Sequence, residues 1–115
     1  MHSWMSPSIA QAWVLLVAAG VLEVGWAVGM KSTDGFARWL PSAIVLAVAL
    51  VSFALLGLAM KTLPVGTAYA VWVGIGAAGT AVLGMLLFDE PASAARLACI
   101  ALIVAGVLGL KLLHE

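Results

Sequence analysis

Four long apolar stretches divide the chain, each ended by a short cluster of charge, glycine or proline. They run from Ala12 to Met30, Leu40 to Met60, Val65 to Phe88 and Leu97 to Leu110. The last extends to Leu113 if Lys111 snorkels its ammonium toward the headgroups. Between them lie the segment from Lys31 to Trp39, the short Lys61-Thr62-Leu63-Pro64, and Asp89-Glu90-Pro91-Ala92-Ser93 with Arg96 at its far edge. None of the stretches alternates polar and apolar positions as barrel strands do. At about 1.5 Å per helical residue, each can cross roughly 30 Å of hydrocarbon. Pro41 suits a first helical turn, where its missing N–H is not needed. The pattern predicts an all-α integral membrane protein. Its four transmembrane helices cover about 12–30, 40–60, 65–88 and 97–113, in a single domain 1–115 with residues 1–10 as a flexible lead.

Composition agrees. Of 115 residues, 65% are hydrophobic and 9% charged, against about 45–50% and 25% in soluble domains. The formal net charge is zero, so no basic face invites nucleic acid. Residues 1–10 carry no Lys or Arg, and Glu23 interrupts the first apolar stretch. That stretch is therefore not read as a cleaved signal. The single Cys99 has no disulfide partner and no metal-ligand spacing, and is expected to be a small packing residue. His2, His114, Asp34, Asp89, Glu90 and Glu115 fall in predicted loops or tails and read as solvated groups. They form no metal site and no nucleophile–base set. No cofactor motif is present. An enzyme is disfavoured.

Candidate chemistry centres on Glu23, the one charged residue between Ala12 and Met30. An ionised carboxylate at that depth costs several kcal/mol or more, so such residues are rare and usually functional. It can take up a proton, pair with a cation, or face water inside the protein. A carboxylate that does these in turn is a proton-coupled cation carrier. On a helix its face includes Leu16, Ala19, Gly20, Trp26, Ala27 and Met30. Gly20 leaves space beside the carboxylate. Trp26 offers a flat wall and one N–H donor, or else anchors the helix at the interface, as expected for Trp4, Trp13 and Trp39. Ser52, mid-way along the second stretch, bonds either its own helix carbonyl or Glu23. Tyr69 and Trp72 share a face of the third helix, and Glu23 is the obvious partner for a buried Tyr69 hydroxyl. Gly74, Gly76 and Gly79 serve close packing or, at Gly74 and Gly76, a hinge.

Two features bear on assembly. Lys61, Lys111 and the N-terminal amine fall on one membrane side, and Lys31, Arg38 and Arg96 on the other. So small a bias gives almost no instruction for orientation, and insertion in both directions is expected. Ala101, Ala105 and Gly109, with Gly106 beside them, follow small-xxx-small spacing. They pack within one subunit or, as favoured by the small size of a four-helix bundle, between two.

The run from Glu23 to Lys31 (EVGWAVGMK), then Gly35-Phe36, then the run from Pro64 to Gly76 (PVGTAYAVWVGIG), resembles the small multidrug resistance family from about Trp13 to His114. Trp26 three residues after the glutamate, with Lys61-Thr62-Leu63-Pro64 before the third helix, resembles its guanidinium-exporter branch; polyaromatic-cation exporters typically carry a small residue where Trp26 stands. The resemblance implies an antiparallel, dual-topology homodimer in the cell inner membrane, exporting guanidinium in exchange for protons at paired Glu23 residues. By matching positions, Trp26, Ser52, Tyr69 and Trp72 line that site. Lys31 matches a family lysine at the end of the first helix. Paired unlike subunits are known in the family. Two carboxylates meeting in a low-dielectric site cannot both ionise freely and titrate as a unit. Guanidinium presents an N–H fork that fits a carboxylate, so proton and cation exclude one another. The alternatives are a quaternary-ammonium or multidrug exporter, and a non-transporting membrane subunit in which Glu23 joins helices.

Overall fold

The computed structural model describes residues 6–113. The readings for His2, Trp4, His114 and Glu115 fall outside them. Four helices follow in order: α1 (Ile9–Gly29), α2 (Trp39–Ala59), α3 (Val65–Leu87) and α4 (Ala94–Leu113). Each is long and apolar enough to cross a membrane.

Two helices begin earlier than the apolar pattern predicts, because polar caps start them. Ser8 Oγ accepts from the Gln11 N–H at 3.1 Å, and Gln11 Oε1 accepts from the Ser8 N–H at 2.9 Å. This capping box satisfies two otherwise orphan donors. Ile9 and Ala10 are therefore helical, and the expected lead ends at Ser8. In α4, Ser93 Oγ accepts from the Arg96 N–H at 3.2 Å, which draws Arg96 into the first turn. The α1–α2 connection is also more ordered than a loop. A 3-10 turn, Met30–Thr33, continues α1. Buried Thr33 then closes it, its hydroxyl donating to the Met30 carbonyl at 2.7 Å and accepting from the Phe36 N–H at 3.1 Å. Asp34, Gly35 and Phe36 follow with φ of 52, 66 and 68°. Gly35 takes this left-handed backbone freely, and the two neighbours do so at some cost.

The helices lie side by side in the order α2, α1, α3, α4. The result is a slab of 45 × 37 × 16 Å, little deeper than the 10–12 Å of one helix. Its core joins Ala12, Trp13, Leu16 and Ala19 of α1 to Leu56 and Ala59 of α2 and to Ala68, Val71 and Trp72 of α3. Trp13 is thus a core residue rather than an interfacial anchor, with the Lys111 ammonium 5.6 Å from its ring centroid. Trp39 opens α2 and is exposed. None of α4 is buried, and its backbone approaches α3 alone. Cys99 points outward instead of packing inside.

The glycines of α3 explain how closely the helices approach. A Cβ at Gly74 would lie 2.5 Å from Val107 Cγ2 of α4, and one at Gly79 would lie 2.5 Å from Val24 Cγ2 of α1. Gly20 of α1 answers in kind, with Ile75 Cγ2 2.7 Å from where its Cβ would stand. The space that Gly20 leaves is occupied by Ile75. The helix runs unbroken through Gly74 and Gly76.

Candidate functional site

Glu23 stands half-buried on the side of α1 that faces α3. Gly76 makes room for it: a methyl group at Gly76 would fall on the carboxylate itself. Oε1 is buried and has no hydrogen-bond partner among the described residues. One turn on, the indole Nε1 of Trp26 is buried and equally unpartnered. An open acceptor and an open donor therefore sit a turn apart on one helix. The expected bond between them is not made.

Ser52 departs from both readings of the sequence. It neither bonds its own helix nor reaches Glu23. Its hydroxyl, fully buried, donates to the Ala19 carbonyl of α1 at 2.7 Å and accepts from Trp72 Nε1 of α3 at 3.0 Å. Ala19 is four residues before Glu23, so its carbonyl belongs to the turn that carries the carboxylate. Ser52 ties three helices together beneath the site and acts on Glu23 only through that turn.

Trp72 is buried, whereas Tyr69 is 54% exposed. The Tyr69 ring lies against Trp72, with centroids 5.7 Å apart and planes at 48°. Its hydroxyl makes no hydrogen bond to Glu23 among the described residues, because it stands two turns before Gly76 on α3. Phe53 belongs to the site as well, although the sequence reading passes over it. Its ring links Trp26, at 6.2 Å and 65°, to Trp72, at 5.6 Å and 57°. Trp26, Phe53, Trp72 and Tyr69 thus form one aromatic chain across α1, α2 and α3. The available signal was its place next to Ser52, on the shoulder of the α2 face that points inward. Such a chain offers a cation ring faces to move along.

The small residues assigned to α4 packing lie elsewhere. Ala101, Ala105 and Gly106 are exposed, and Cβ atoms at Gly106 or Gly109 would meet nothing within 4 Å. Ala101 and Ala105 fall on the side of α4 away from the Ile103 and Val107 contacts to α3. Packing within the subunit leaves Ala101, Ala105 and Gly106 uncovered. Among the described residues, no group of His, Cys, Asp or Glu could hold a metal ion.

A family model described as Small Multidrug Resistance protein matches residues 11–103. Proteins named "Guanidinium exporter" from Salmonella typhimurium, Citrobacter freundii and Escherichia coli are each 59% identical to the chain over 101 residues. The similarity covers 88% of this chain and 96% of each relative.

Proposed function

The chain belongs to the small multidrug resistance family, and on that premise we propose that it exports guanidinium-type cations across the cell inner membrane in exchange for protons. One observation carries the reading: within a spanning helix, the Glu23 Oε1 acceptor and the Trp26 Nε1 donor are both buried and have no partner among the described residues. A buried acceptor left open is costly, and a planar N–H donor relieves that cost. A proton on the same carboxylate relieves it too. Only one of the two can do so at a time, and that exclusion is the basis of exchange. The relatives' printed name supplies the cation class.

The exchange needs a closed chamber, which a slab 16 Å deep does not enclose. A second copy, inserted in the opposite sense, would bring its own Glu23 to the first and cover the exposed aromatics. Ala101, Ala105, Gly106 and Gly109 give α4 a face on which two such copies fit closely. Trp26, Phe53 and Trp72 form a wall that suits a small flat ion. Gly74 and Gly76 remain the places where α3 can bend, once the contacts to Val107 and Glu23 are loosened.

The test is flux in liposomes holding the purified protein alone, with an imposed pH gradient. Guanidinium uptake driven by that gradient is expected, with Glu23→Gln abolishing coupled flux and leaving assembly intact. Proton-coupled flux surviving in Glu23→Gln would reject the role of the carboxylate. No flux in the unaltered protein would favour the non-transporting subunit. Stronger competition from a bulky aromatic cation than from guanidinium would favour the multidrug exporter.

A further inference from the structure

Past Glu23, toward the Lys31 end of α1, the groove between α1 and α3 widens into a cavity of about 370 Å³. Its inner wall includes Ala27, one turn after Glu23, and Thr80, one turn after Gly76; its mouth carries Lys31, Phe88 and Glu90. With water taking about 30 Å³ per molecule, the space admits a small planar ion and several waters. Thr80 is the polar exception on an inner wall of alanine, valine and glycine. Its Oγ1 is buried and has no hydrogen-bond partner among the described residues. A helical threonine ordinarily donates to the carbonyl four residues earlier. Here that carbonyl is Gly76's, and the bond is not made.

The charges at the mouth do not shut out a cation. The Lys31 ammonium rests on the Phe88 ring, 5.0 Å from its centroid. Arg96 Nη2 lies 3.2 Å from Glu90 Oε1. Glu90, which lines the cavity, thus sets an acidic group beside Arg96 at the mouth.

We propose that Thr80 is a further substrate-contacting residue, its hydroxyl oxygen accepting an N–H of a guanidinium-type cation held in this cavity between bulk water and Glu23. The inference rests on the transport reading above and adds a binding position to it. Guanidinium has only donors to offer, and a hydroxyl oxygen has two lone pairs to accept with. A neutral acceptor also suits a position of passage, since an ion must be held weakly enough to leave. While Oγ1 accepts from the ion, its own proton can turn to the Gly76 carbonyl, and each bond strengthens the other.

The experiment compares guanidinium flux in proteoliposomes for the unaltered protein, Thr80→Val, Thr80→Ala and Thr80→Ser, with Glu23→Gln alongside. Valine keeps the volume and removes the oxygen; alanine is a second apolar variant should valine fail to fold. Both are expected to raise the guanidinium KM by roughly tenfold, the order expected for losing a hydrogen bond to a charged group. Serine is expected to restore it to within about twofold. An unchanged KM in the valine and alanine variants would overturn the proposal, and so would a serine variant as impaired as valine, since only the methyl would then matter. Neither result touches the transport reading, which fails instead if Glu23→Gln keeps its coupled flux.

Discussion

Glu23 has been given room rather than partners. Gly76 has no side chain to block it, Gly20 admits Ile75 behind the carboxylate's turn, and the donor one turn on, Trp26 Nε1, is left open among the described residues. The polar support lies one step back, in Ser52, which holds the turn of Ala19 and the indole of Trp72 together. Replacing Ser52 by alanine leaves a buried indole N–H unsatisfied. Such a loss costs about 1–3 kcal/mol in soluble proteins, whereas side-chain hydrogen bonds within membranes average nearer 0.6 kcal/mol. About 1 kcal/mol of destabilisation is therefore expected for Ser52→Ala, read from unfolding in mixed micelles. No change in the midpoint would mean that the three-helix link holds nothing. Glu23 is conspicuous in the sequence because charge is rare in oil. The partners of Ser52 are not, because the nearer of the two lies twenty positions away and no local pattern encodes a contact at that range.

At the level of the helix, Gly74, Gly76 and Gly79 of α3 face three different neighbours, and the neighbours differ in how they can yield. Against Gly76 stands the end of a flexible glutamate; against Gly79 stands Val24, stiff at its branched carbon. Gly76→Ala is thus expected to push the carboxylate aside with little loss of stability, weakening guanidinium binding by about tenfold or more. Gly79→Ala is expected to destabilise by about 1–3 kcal/mol through overpacking. Gly57→Ala, where the added methyl meets nothing, serves as the control. Titration of guanidinium by tryptophan fluorescence, set beside thermal unfolding, separates the outcomes; the reverse pattern would refute the packing argument. The spans are easy to see in the chain because apolar runs of this length have few other uses. Their first turns are harder, since Ser8, Gln11 and Ser93 act through side-chain caps placed among residues that otherwise look like loop.

As a whole the molecule is a row of helices with both flat sides bare. Leu46, Leu50, Leu86 and Leu102 are all more than half exposed, as expected of a surface meant for lipid or for a second copy. The nearly even spread of Lys and Arg over the two sides is the basis for the proposed insertion in both directions. Adding three lysines to the Lys61–Pro64 connection and the C-terminal end should fix one orientation. Activity is then expected to fall by tenfold or more when this variant is expressed alone, and to return when it is mixed with a variant fixed the other way. Full activity from a one-way population would rule out opposed subunits. Cysteine labelling from each side of the membrane would report the orientation directly.

The outermost helix adds a kinetic consequence. With no buried residue and a backbone that approaches α3 alone, α4 has the least to lose by peeling away from its own subunit, and elements so loosely held open first. On the proposed pairing, a newly inserted chain is therefore vulnerable along that edge until it meets a second copy. The proposed dimer would then form at a rate set by how often two copies meet before that edge opens.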